Sequence, residues 1–170
     1  MCVFAHKAAK FAEFNRSKNP PKSASGSKRK ANPMTQSFTS LAAPAGRLLL
    51  AFIFIMAGAQ KITGYSGNAQ NMEMMGVPGA LLPLVILTEL GGGIALLIGW
   101  QTRVVAFLLA GFSLNSGILF HLAPSFGMEG MAAQGEMINF MKNVSIAGGM
   151  LMVVALGAGR ISLDNRAAAA

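Results

Sequence analysis

The chain has 170 residues, 53% hydrophobic and only 12% charged, with a mean hydropathy of +0.51. A soluble domain carries about a quarter charged residues, so this composition excludes an ordinary water-soluble globule. The formal charge of +8 invites a nucleic-acid reading, but Lys7, Lys10, Arg16, Lys18, Lys22, Lys28, Arg29 and Lys30 crowd into one stretch that only Glu13 opposes. No aromatic-interleaved motif or folded module accompanies them, and nucleic acid is not expected as a partner.

Residues 1–40 contain KNPPKSASGSKRKANP, which has too little to bury to offset the entropy of ordering and is read as a disordered basic tail. A translation start at Met34 is an alternative that turns the preceding residues into an extension. Next to a membrane span, such a tail acts as a topology determinant or touches anionic headgroups. Cys2 is the single cysteine, which excludes an intrachain disulfide and CxxC chemistry.

Four apolar segments follow, at about Leu41–Ile62, Val77–Trp100, Val104–Leu122 and Met137–Leu156. Each is close to the ~20 residues that an α-helix needs to cross ~30 Å of hydrocarbon. The fold class is therefore an all-α membrane protein: a four-transmembrane-helix bundle over residues 41–157, with a short tail at 158–170. Arg47, Arg103, Arg160 and Arg166 all fall on the side of the chain ends, so both termini are expected in the cytoplasm. Arg47 and Arg103 are read as topology and interface residues, and Arg47 and Lys61 sit near helix ends, from which long side chains snorkel to the headgroups. The WQTR turn is short enough to make spans two and three antiparallel neighbours. A shift of 56 residues lays Arg47 on Arg103 and Gly92-Gly93 on Gly148-Gly149, which suggests two repeated hairpins.

Glu89 is the one charge between Val77 and Trp100. A charge at the centre of a membrane helix costs about 2.5–3.5 kcal/mol, and such groups face the bundle interior or a wet cavity. Lys142 lies about five residues inside span four, ~8 Å at 1.5 Å per residue, and is the first candidate to pair with Glu89. Lys61, closing span one, is the next. Asn139, Lys142 and Asn143 share a helical face, and Asn115 and His121 sit at similar depth on span three. Together they predict a polar pocket open to the outside. Gly92, Gly93, Gly148 and Gly149 would seal it beneath by letting backbones approach closely. A register-fixing ion pair with no ligand is the alternative reading of the same residues.

Met72, Met74, Met75, Met128, Met131 and Met137 gather in the loops on the Lys61 side. Thioethers ligate Cu(I), but no cysteine or paired histidine supports a metal, and none is expected. No nucleophile–base pair, phosphate loop or haem-ligating pair is present, so no catalytic residue is assigned.

The stretches RLLLAFIFIMAGAQK, TELGGGIALLIGWQTR and INFMKNVSIAGGMLMVVALGAGRISLD resemble the DoxX family of small bacterial membrane proteins. The resemblance covers about Ala42 to Asp164. It implies a four-helix bundle in the bacterial inner membrane. Some members are linked to redox chemistry, including the small subunit of thiosulfate:quinone oxidoreductase. The expected role is an accessory component of a thiol-, thiosulfate- or quinone-linked system, in contact with the bilayer and with another membrane or extracytoplasmic redox protein. Quinone is the cofactor class this implies. A small-solute or ion carrier and a structural scaffold are the alternatives.

Overall fold

The computed structural model describes the backbone of residues 33–167 and the side chains of residues 41–167. All regular structure among the described residues is helical. Four helices are long and apolar enough to cross a membrane: Leu41–Thr63, Gly79–Ile98, Thr102–Ser125 and Gly130–Leu156.

Helix α1 spans Pro33–Thr63. Its first turns run through residues expected to belong to the tail. Proline is tolerated at the first helical position, where its missing N–H has no intrahelical partner to lose, so the polar run after it continues into the helix. The remainder of the expected tail, residues 1–32, lies outside the described residues. A second helix, α2, covers Tyr65–Met74 in what the sequence suggests is only a loop.

Helix α3, Gly79–Ile98, opens with a 3-10 turn and ends at Gly99, whose φ is +73°. The Trp100 amide donates to the Ala95 carbonyl at 2.9 Å, the long bond of a glycine-ended helix. Helix α4, Thr102–Ser125, begins after only Gly99, Trp100 and Gln101, so α3 and α4 are antiparallel neighbours. Helix α5, Gly130–Leu156, returns across the bundle and stops at Gly157, with φ +83°. A short helix α6, Leu163–Ala167, follows.

The most extensive packing joins α4 to α5, and the next joins α1 to α3. Ala51, Phe54, Leu96, Leu109, Ala147 and Met150 form the shared core. Leu49, Phe52, Phe107, Leu108, Leu151 and Met152 point outward. Only 11% of the apolar window of α5 is buried within the bundle, which leaves most of that face free to meet lipid.

Two glycines decide how closely α1 and α3 approach, Gly58 against Leu90 and Gly93 against Ile55. A Cβ on Gly93 would stand 2.9 Å from Ile55 Cγ1 and 3.1 Å from the Ile55 amide. Gly92 lies under Leu109 and Gly149 under Leu50. Gly148, expected to pack alongside, faces outward with nothing within 4 Å, because it sits on the lipid side of α5.

The Arg47 end of the bundle is tied by the segment after α5. Arg47 is 2% exposed and donates to the Ile161 carbonyl. It does not snorkel, because residues 157–162 fold back over it. A side chain at position 99 would collide with its guanidinium and with Ser162 Cβ. Asp164 accepts the Gln101 and Thr102 amides at 2.8 Å each, and its own amide donates to the Gly99 carbonyl at 2.9 Å. It thereby caps the N-terminus of α4 from 62 residues away. Desolvation pushes the Asp164 pKa up, but hydrogen bonds from Thr102 and Gln101 and the positive field of Arg47 outweigh it and hold the carboxyl below its ordinary value.

Candidate functional site

The opposite end of the bundle holds a cavity of about 580 Å³. Met72, Leu82, Phe112, Leu119 and Phe120 supply apolar wall. Lys61, Glu89, Asn115, His121, Glu136 and Asn143 supply polar groups. Met72, Asn68 and Asn71 come from α2, so this surface helix forms one side of the cavity.

Glu89 is 6% exposed, and Lys61 Nζ lies 2.9 Å from each of its carboxylate oxygens. Side chains tilt toward the N-terminus of their own helix. In α1, which runs toward the Lys61 end, that tilt carries Lys61 down into the bundle. In α3, which runs the other way, it carries Glu89 up. The two side chains meet although their backbones sit at different depths.

Lys142 does not take that place. The same tilt lifts it toward the start of α5, it is exposed on the outer face, and its Nζ donates to Asn139 Oδ1 at 3.1 Å. Neither Lys142 nor Asn139 lines the cavity. Asn143, one position round the helix, does, and its Cβ stands 2.8 Å from where a Cβ on Gly117 would be.

Glu89 and His121 occupy equivalent local structures. Residues Leu87–Gly91 and Ile118–Leu122 each form a π-helical turn within an otherwise α-helical span. Single π turns widen the helix and re-aim the side chains that follow, and they recur at functional sites. Here both turns place an ionisable group against the cavity.

His121 Nδ1 lies 2.7 Å from Glu136 Oε2. Glu136 carries no role in the sequence reading. The available signal is its spacing: 136, 139 and 143 fall on one face at i, i+3 and i+7, in register with Asn139 and Asn143. Lys61–Glu89 and His121–Glu136 are the only contacts between acidic and basic side chains within 4.0 Å among the described residues. No cluster of three metal-ligating side chains occurs among them.

Arg103, at the start of α4, is exposed, and its guanidinium rests over Gly157, with Nε and Nη2 3.4 Å from where a Cβ would project.

The DoxX family model matches residues 42–122. The inner membrane protein YqjF of Escherichia coli (strain K12) is 48% identical over 119 residues, 70% of this chain and 86% of that protein. The chain belongs to the DoxX family. A second inner membrane protein of the same strain, YphA, is 37% identical over 122 residues, 71% of this chain and 86% of that protein. No solved structure makes a significant match. With these relatives and four membrane-crossing helices, this DoxX protein is an inner-membrane protein embedded in the lipid bilayer. Both π turns that carry cavity side chains fall inside the part matched by the DoxX model, whereas Glu136 and Asn143 lie beyond it.

Proposed function

We propose that this DoxX protein is an accessory component of a membrane redox system and that its cavity holds the head of a lipid-soluble quinone. The observation that carries the reading is the pairing of apolar wall with two acid–base pairs. A quinone head is a flat apolar ring bearing two carbonyl oxygens, so it needs contact area and hydrogen-bond donors together. Phe112, Leu119 and Phe120 offer the area. The Lys61 ammonium has three N–H donors, and the second ring nitrogen of His121 is not used by Glu136. Glu89 and Glu136 are the bases that could accept protons when a reduced carrier is oxidised by a partner protein, which must supply the electron acceptor.

The packing beneath the cavity favours this reading over a carrier. Movement of a solute across the bundle requires a gap below Glu89, where Gly58 and Gly93 bring α1 and α3 together and the core of Leu96, Leu109 and Met150 fills the centre.

The test is binding of a short-chain ubiquinone to the full-length protein in nanodiscs, read as a shift in melting temperature. Addition should stabilise the wild-type protein. The shift should be lost in Lys61→Met and Phe120→Ala and retained in Lys142→Met. Equal shifts in all four proteins would overturn the assignment of the cavity, and solute flux in proteoliposomes without quinone binding would support a carrier instead.

A further inference from the structure

A second concavity lies at the Arg47 end, formed by the start of α4, the last turn of α5 and the segment that folds back beneath them. It is an open cleft of about 670 Å³. Arg103 and Arg160 line it, together with Gly157, Gly159, Val104 and Leu156. Neither arginine has an acidic partner among the described residues. The one carboxylate in the cleft, Asp164, already accepts the amides of Gln101 and Thr102 with both of its oxygens. With two guanidinium groups against that one carboxylate, the cleft keeps a net positive charge.

Its lower edge is apolar and exposed. Val104 and Leu156 are 56% and 74% exposed. One turn further into the bilayer, Phe107 and Leu108 continue the strip on α4 and Met152 continues it on α5, all of them exposed. A charged cleft at the interface that opens directly onto an apolar strip has the two-part chemistry of a phospholipid.

We propose that the cleft between Arg103 and Arg160 binds the phosphodiester of an anionic phospholipid, whose acyl chains lie along Val104, Phe107 and Leu156. Guanidinium groups are suited to phosphate because their donors are planar and paired. Arg103 lies along the cleft beside Gly157, with its Nε and Nη2 3.4 Å from where a Cβ on that residue would project. A net positive cleft discriminates against a zwitterionic headgroup, whose own cation would face the two arginines.

Trp100 provides the probe. It is the only tryptophan in the chain, is 56% exposed, and directly precedes Gln101 at the cleft wall. The full-length protein is reconstituted in vesicles containing brominated phosphatidylglycerol or brominated phosphatidylcholine, and quenching of Trp100 is followed against mole fraction. Brominated phosphatidylglycerol should quench at a several-fold lower mole fraction, on the order of fivefold per contributing arginine. Arg103→Gln with Arg160→Gln should bring the two curves together, and Arg103→Lys with Arg160→Lys should keep most of the separation. Circular dichroism and gel filtration confirm that the variants fold. Equal quenching by both lipids in the wild-type protein overturns the proposal. So does an undiminished preference in the double glutamine variant, which would place the attraction in basic residues elsewhere. Reversal of the preference by millimolar glycerol phosphate would mean that a soluble phosphate ester occupies the cleft, and the lipid assignment would fall.

Discussion

Lys61 and Glu89 are brought together by the opposite directions of their helices. Each side chain leans back toward the start of its own helix, and for an antiparallel pair those leans converge. The contact is consequently specific to these two positions, and substitutions should report it. Removing one partner of a buried pair costs about 3–5 kcal/mol in soluble cores, whereas polar contacts between membrane helices average about 0.6 kcal/mol. Glu89→Gln and Lys61→Met should each fall between those limits in a thermal melt in detergent. Lys142→Met should stay within about 0.5 kcal/mol of the wild-type protein, as exposed substitutions do. A larger loss for Lys142→Met than for Lys61→Met would assign the partner of Glu89 wrongly.

Alanine separates the glycines. At Gly93 a methyl group must displace Ile55 or push α1 away from α3, and overpacking of this kind costs about 1–3 kcal/mol. At Gly148 there is open space, and alanine is favoured over glycine in a helix by up to about 1 kcal/mol. Gly93→Ala should lower the melting temperature and Gly148→Ala should leave it unchanged or raise it. Both variants destabilising equally would contradict the packing described.

Stability should fall at acid pH through Asp164. Its pKa is lower in the folded protein than the ordinary 3.8, so its contribution is complete above that value and disappears as pH falls through the lower, folded one. Melting curves of the wild-type protein between pH 6 and pH 3 should show a decline that Asp164→Asn lacks. Asp164→Asn should also be less stable at pH 6, where it loses the charge facing Arg47 and one of its two acceptor oxygens. Parallel pH profiles would remove Asp164 from the account.

Topology is open to direct measurement. Arg47, Arg103, Arg160 and Arg166 mark one end of the bundle, while Glu73, Glu129 and Glu136 lie toward the other, so the Lys61 end should face the periplasm. Reporters fused after Gly130 should signal export and reporters fused after Asn165 should signal retention. The reverse pattern would turn the bundle over and place the quinone cavity on the cytoplasmic side.

The four spans were legible because twenty apolar residues in a row have few other uses. Glu89 was conspicuous for the same reason: a lone carboxylate in that setting demands a partner. Depth along the backbone ranks Lys142 above Lys61 as its partner, and the lean of the side chains reverses that ranking. The π turns at Glu89 and His121 leave no residue signature, since they reflect how a helix accommodates its neighbours. Glu136 was hidden by its position at the start of α5, where an acid resembles loop solvation. Position alone points Arg47 to the headgroups, because nothing local announces that a segment over a hundred residues later folds across it.

That last separation has a consequence for biogenesis. Arg47 and the Ile161 carbonyl are 114 positions apart, so the first span must enter the bilayer long before its partner has been synthesised. During that interval the guanidinium has only water and headgroups to satisfy it. The later arrival of residues 157–164 therefore moves an arginine from lipid surface to protein interior. The bundle acquires this tie only after all four spans have been synthesised.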